Sequence, residues 1–166
     1  MKRFRKSILF AIGLFVLDAF FLNQGIIALF VMLLVVFVFL PWALWTLRRD
    51  KHLSVERITR TGIYLLACIS VFVANGLQNR MADRRAIALG NACLAYRAKY
   101  HHYPQRLQEL VPEFIPSVPV AKYAPGGYFS YSPGLTGREP MLYYQELPPF
   151  GRRFYHMETG GWGFLD

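Results

Sequence analysis

The order of apolar and polar positions divides the chain into oily and wet halves. Residues 7–22 and 26–47 are apolar on every side, with Asp18 the single charge from 7 to 47 and Asn23-Gln24-Gly25 the only polar interruption between the two runs. A run without a polar face predicts a helix in an apolar medium, and roughly 20 such residues cross a bilayer's hydrocarbon core. Residues 26–47 meet that length comfortably, whereas 7–22 and 62–79 meet it marginally. The Asn-Gln-Gly turn makes the first two runs an antiparallel hairpin.

The third run begins a longer element. Residues 61–103 read as one helix that is apolar on all sides through Ala74 and then becomes amphipathic. In its polar half, Ala82, Ala86, Leu89, Cys93, Tyr96, Tyr100 and Tyr103 recur at alternating spacings of four and three, which puts them on one face. Such a face needs a cover, and the remaining sixty or so residues supply β-prone runs for it: Gly127 to Ser132, Met141 to Leu147, Arg153 to Met157, and a short return from Trp162 to Leu165. Gly134, Gly137, Pro148, Pro149, Gly160 and Gly161 separate or end these runs. The expected cover is a three- or four-stranded antiparallel sheet against the tyrosine stripe. Between helix and sheet, Pro104 closes the helix, Leu107, Leu110 and Val111 form a short amphipathic turn, and Pro112 ends it.

Composition agrees with this division. A chain of 166 residues with 54% hydrophobic residues is too oily for an ordinary soluble domain. The net charge of +9 raises the question of nucleic acid, but its placement answers differently. Lys2, Arg3, Arg5 and Lys6 precede the first run, and Arg48, Arg49, Lys51, Arg57 and Arg60 follow the second, which is what the positive-inside rule asks of cytoplasmic segments. Trp42 and Trp45 beside Pro41 add an interfacial aromatic belt. The expected orientation is therefore a cytoplasmic N-terminus, a short basic loop from Arg48 to Arg60 with a weak helix start at Ser54-Val-Glu-Arg57, and a C-terminal domain outside the cytoplasm. Membrane lipids are the expected contact of the basic loop, and no nucleic acid is expected. The N-terminal run lacks a small-x-small cleavage pattern and is read as an uncleaved anchor.

Candidate chemistry is sparse. Asp18 is the lone intramembrane acid, a position that reads either as an interfacial or backbone-capping group near the Asn23 turn or as a contact for a partner helix. Cys68 and Cys93 lie on one helix about 37 Å apart and cannot pair within the chain. His101 and His102 are adjacent and point about 100° apart on a helix, so they read as helix-end residues, with His156 a distant third ligand at most. Glu109, Glu113, Glu139, Glu146 and Glu158 form no readable acid–base pair. No nucleophile or phosphate-loop pattern is present, so no cofactor, no metal and no catalytic role is expected. The tyrosines read as core and interface more than as a stacking row for sugars or bases.

A resemblance carries the reading further. The segment Tyr103-Pro104-Gln-Arg-Leu107-Gln-Glu-Leu110-Val111-Pro112-Glu-Phe114-Ile115-Pro116-Ser-Val-Pro119, placed after a helix that turns from apolar to amphipathic and before a small sheet, resembles type IV pilins and type II secretion pseudopilins over residues 62–166. At Arg60-Thr-Gly62-Ile-Tyr-Leu-Leu-Ala67 the acid that this family carries is replaced by Ala67, and two further apolar runs come before it. The chain is similar in this respect to the polytopic inner-membrane accessory proteins that chaperone pilins.

The resulting expectation is an α+β membrane protein with three transmembrane helices, the third continuing into an amphipathic helix packed on a small pilin-like sheet. Residues 1–60 form the hairpin and basic loop, and 61–166 the third helix and its periplasmic domain in a bacterial inner membrane. The expected function is non-enzymatic binding of a pilin or pseudopilin before assembly; the alternative is a small stabilising subunit of a larger membrane enzyme or transporter. A plain tether that runs on into a domain is the simplest version of either. The candidate partner-binding residues are Asp18, Ala67, Ser70, Ala74, Gly76, Leu89, Tyr96 and Tyr100, with the sheet edge and self-association as further possibilities.

Overall fold

The computed structural model describes residues 4–23, 25–47, 51–134, 140–147 and 150–165, in two compact units, Met1–Gly76 and Leu77–Asp166. Lys2, Arg3, Gln24, Arg48, Arg49, Gly137, Glu139, Pro148 and Pro149, to which the sequence assigned roles, lie outside the described residues. The architecture is a mixed one, in which helices are followed by a four-stranded antiparallel sheet.

In the first unit, α1 (Arg5–Val16) runs directly into a π-helical turn (Leu17–Leu22). Beyond the Asn23–Gly25 turn, α2 (Ile26–Leu34), a π-helical segment (Val35–Phe39) and α3 (Leu40–Leu47) form one uninterrupted run. Pro41 sits near its end, and the widened turn just before it accommodates the missing N–H and the bulk of the ring. Asn23 (φ 51°) and Gly25 (φ 68°) both take the left-handed conformation that reverses the chain. Gly25 has a second reason to lack a side chain, because a Cβ there would stand 3.1 Å from Cε1 of Phe72.

The long helix α4 spans Lys51–Tyr100, 50 residues. It therefore begins ten positions before the expected start at Thr61, and the expected basic loop is largely helix, with Ser54 inside it. No glycine or proline occurs from 51 to 61, the Glu56–Arg60 pair at 2.6 Å supports the turn at i,i+4 spacing, and Thr59 and Thr61 donate to the carbonyls four residues back. At the other end α4 stops at Tyr100, three residues short of the expected Tyr103. His101 adopts φ 62° and donates its N–H to the Arg97 carbonyl at 2.8 Å, a left-handed helix terminus.

Leu14, Ala28, Ala67, Cys68 and Val71 form the core of the first unit, with Ala11, Phe15, Ile27, Val31 and Met32 packed around them. Among the described residues, Ile26–Thr46 and Val55–Tyr100 are long and apolar enough to cross a membrane, by length and composition. The run at 7–22 is helical throughout but does not reach that standard, being short and flanked by Arg5 and Lys6 with Asp18 inside it.

In the second unit, β1 (Ser130–Ser132), β2 (Met141–Leu147), β3 (Phe150–His156) and β4 (Trp162–Leu165) form an antiparallel meander in the order β1-β2-β3-β4. Register pairs Tyr131 with Leu142, Leu142 with Tyr155, and Tyr155 with Trp162. Ala86, Leu89, Ala92 and Cys93 of α4 meet Leu107, Leu110, Leu142, Tyr155 and Met157 in the core. The sheet thus lies chiefly on the small and aliphatic part of the predicted stripe, with Tyr96 and Tyr103 partly buried against the same core. Small side chains permit the close approach: a Cβ on Gly90 would stand 2.7 Å from Cε1 of Tyr155. Tyr96 and Tyr100 also gather with His102 and Phe114 in a ring cluster, and Tyr100 remains 41% exposed. The amphipathic turn is a single 3₁₀ turn, Leu107–Leu110, in which Leu107 and Leu110 are buried but Val111 faces solvent.

Candidate functional site

Two faces of α4 have different fates within the first unit. Thr61, Tyr64, Cys68, Val71 and Asn75 recur at spacings of three and four and turn inward, with Thr61, Cys68, Val71 and Asn75 buried. Tyr64 donates to Ser7 Oγ at 3.1 Å and meets the ring of Phe10 edge-on, so this face is held by α1. One step around the helix, Gly62, Leu66, Ile69, Val73 and Gly76 recur at 4-3-4-3 spacing and are exposed. Leu66 is 67% exposed, Ile69 53% and Val73 55%, and a Cβ built on Gly62 or Gly76 meets nothing within 4 Å. This is a seam of the kind that receives a second helix, open at both ends where backbone approach is closest.

Of the sequence-predicted residues, three lie on or beside that seam. Gly76 lies on it. Ser70 and Ala74 flank it, half-buried, with the Ser70 hydroxyl donating to the Leu66 carbonyl at 2.8 Å. Ala67 belongs to the core of the first unit and Leu89 to that of the second, so each is covered by its own chain. The sequence missed Leu66, Ile69 and Val73. A run apolar on all sides offers no phase from which to tell the covered face from the open one, and only the alternation of glycines at 62 and 76 hinted at it.

Asp18 is also occupied internally. Its carboxylate is fully buried and accepts the N–H of Gly25 at 3.0 Å and of Ala28 at 2.7 Å, while its carbonyl accepts the N–H of Asn23 at 2.8 Å. The acid therefore caps α2 and closes the hairpin turn. Carboxylates suit helix N-termini because unpaired amides and the helix dipole converge there.

The second unit carries a polar cluster between α4 and the sheet that the sequence did not announce. Tyr144 donates its hydroxyl to Asp83 at 2.8 Å. Arg153 stands 3.5 Å from both Asp83 and Glu146, its guanidinium 4.8 Å from the ring centre of Trp162 and 5.5 Å from that of Phe164. Lys122 is buried and donates to the Glu146 carbonyl, and burial lowers its pKa to about 8 against the opposing pull of Glu146 and Asp83. Tyr144 is pushed well above the ordinary phenol range, first by burial and then by its bond to Asp83. These residues come from α4, the 121–123 loop, β2, β3 and β4, and every charge has an opposite neighbour. The arrangement locks the sheet onto the helix.

The remaining acids have local tasks. Glu109 accepts the amides of Gln105 and Arg106 at 3.0 and 3.1 Å. Glu113 is held below the usual carboxylate range by bonds from Lys99 and Tyr100, and Glu158 accepts from Arg97 and Tyr103. Tyr96 donates to Glu109 at 3.3 Å. His101 and His102 are exposed, and no group of three or more His, Cys, Asp or Glu among the described residues is placed to hold a metal. Cys93 is buried and its thiol is pushed up to about 12 by desolvation, an inert packing residue. Comparison with protein-family models, curated proteins and solved structures gives no match.

Proposed function

We propose that the chain is a membrane-spanning accessory protein of a bacterial inner membrane, whose first unit presents an open helical seam to a transmembrane helix of a pilin or pseudopilin subunit, with the second unit on the periplasmic side. The observation that carries the reading is the seam Gly62, Leu66, Ile69, Val73 and Gly76, exposed beside a second face of the same helix already packed on the hairpin. In lipid, exposed leucine and isoleucine alone need no partner, since acyl chains solvate them equally well. Two open glycines in register with them are different, because they let another backbone approach and gain dispersion contacts that lipid does not supply.

The class of client rests on the pilin-like motif from Tyr103 to Pro119 and on the helix-then-sheet order of the second unit. An unassembled pilin keeps an apolar helix in the bilayer and an amphipathic extension above it, and a partner built to the same plan matches both.

Photo-crosslinking from position 66, 69 or 73 in intact cells tests the proposal, with position 68 as the inward-facing control. Adducts from the seam to a single-helix pilin-class protein are expected, together with an active alkaline phosphatase fused after Asp166. Adducts only to a polytopic enzyme or transporter would replace this reading with that of a stabilising subunit, and a phosphatase active only when fused to the N-terminus would overturn the topology.

A further inference from the structure

At the end of the first unit away from the Asn23–Gly25 turn, a cleft of about 360 Å³ opens between the end of the second helical run and the start of α4. Its walls are Phe39 and Trp42 on one side and Glu56, Arg57, Arg60, Thr61 and Tyr64 on the other. We infer that this cleft is a binding site for the phosphodiester headgroup of an anionic phospholipid.

The argument begins with Arg57. Its guanidinium lies 4.0 Å from the ring centre of Trp42 and donates one N–H to Thr46 Oγ1 at 2.9 Å. Thr46 Oγ in turn donates to the Trp42 carbonyl, so the threonine is fixed at both ends and fixes the arginine. A guanidinium has five N–H donors, and stacking on an indole uses none of them. Arg57 is half-buried, and among the described residues no carboxylate lies within ion-pair distance of it; the nearby Glu56 pairs with Arg60 at 2.6 Å. A positive, partly desolvated fork held flat in a cleft fits the two non-bridging oxygens of a phosphodiester.

The surroundings specify a lipid more than a free anion. Phe39 and Trp42 give the cleft an apolar wall continuous with the exposed Val36, Phe37 and Val38 of the same helical run, a path for an acyl chain to leave the headgroup along the protein surface. Arg5 and Lys6 stand at the same end of the unit, because Ser7 and Phe10 contact Tyr64 of the cleft wall. The opposite end of the hairpin carries Asp18. This end of the unit thus gathers the positive charge where anionic headgroups would lie.

The inference rests on the membrane placement proposed above, and the experiment separates the two. Full-length protein purified in mild detergent is titrated with phosphatidylglycerol, with phosphatidylcholine and with inorganic phosphate, and bound lipid is counted by native mass spectrometry. Phosphatidylglycerol is expected to bind at least fivefold more tightly than phosphatidylcholine, whose phosphodiester offers the same oxygens but whose trimethylammonium group cancels its charge and is repelled by the basic side chains at this end of the unit. Arg57→Gln should remove that preference, Arg57→Lys should weaken it although the charge is kept, and Arg84→Gln should leave it intact. Competition by millimolar phosphate would keep the anion site but assign it to a soluble phosphate ester. Equal binding of both lipids, or an unchanged preference in folded Arg57→Gln and Arg57→Lys proteins, would overturn the site. Failure of membrane placement itself would show separately, as release of the protein from membranes by alkaline carbonate.

Discussion

The Asp18 carboxylate accepts the amide N–H of Ala28 at 2.7 Å, across a turn and ten residues along the chain. That bond, with its companion from Gly25, joins two helices whose other contacts are almost all apolar. Apolar contacts allow helices to slide along one another, whereas a buried acid with two amide donors permits one register. Asp18→Ala should therefore cost about 2 kcal/mol of stability in detergent, within the range for hydrogen bonds to a charged group. Asp18→Asn retains an acceptor and should cost less. Unfolding in mixed micelles, followed by tryptophan fluorescence, measures both; equal and negligible losses would remove the capping role.

The glycines of α4 separate a packing site from an open one. Gly90→Ala places a methyl 2.7 Å from Cε1 of buried Tyr155 and should destabilise the second unit by about 1–3 kcal/mol, the usual range for overpacking. Gly76→Ala meets nothing within 4 Å and should be neutral or stabilising by up to about 1 kcal/mol, because alanine favours helix. The bulkier Gly76→Leu should preserve folding while reducing capture of the proposed client, which co-purification from cells would read.

Lys122 gives the second unit a defined pH response. Its pKa is about 8 in the folded protein against an ordinary value of 10.5, so the unfolded chain holds the proton more readily between those values. Stability contributed by this group then rises as pH increases from 8 towards 10.5, and below pH 8 the cost of burying the charge is fully present. Tyr144 and Cys93, both shifted upward, act in the opposite sense at alkaline pH. Comparing wild type with Lys122→Met at each pH isolates the lysine. The wild type should gain on the order of 2 kcal/mol relative to the variant between pH 7.5 and 10. A pH-independent difference would show that Lys122 is not desolvated.

Arg153 ties β3 to α4 by charge and to β4 by stacking. Arg153→Lys keeps the charge but loses the planar face over Trp162 and Phe164, and about 1 kcal/mol of stability should go with it. Arg153→Met removes the cation that stands 3.5 Å from both Asp83 and Glu146, leaving them only Lys122 among the described cations, and the loss should be larger. Adding Glu146→Gln to Arg153→Met should recover part of that loss, whereas additivity in the double-mutant cycle would mean the two residues do not interact.

Little of the candidate seam was legible in the residues: Gly76 stood out as a small residue, whereas Leu66, Ile69 and Val73 did not. Asp18 was conspicuous as the lone acid in an apolar stretch, and the Asn23 turn nearby marked it as a possible cap. Ala67 and Leu89 stood out as small or apolar residues on a helix, yet both are covered by their own chain, since the hairpin and the sheet choose which faces they occupy. The cluster around Arg153 was invisible because its members are scattered from α4 to β4 and meet only through strand register. The early start of α4 was hidden by the basic composition of its first turns; charge does not break a helix where, as in residues 51–61, no proline or glycine occurs.

By itself the amino-acid order determined the sites of the apolar runs, the left-handed turn at Asn23–Gly25, the stripe from Ala82 to Cys93 and the strand-forming segments after it, because each is written in local periodicity or in the conformational limits of single residues. Tertiary structure decided which side of α4 remained open, where its helix began and ended, and which scattered charges became neighbours. A face covered or uncovered is a property of what packs against it, and a helix that is apolar all round does not encode that choice in its own sequence.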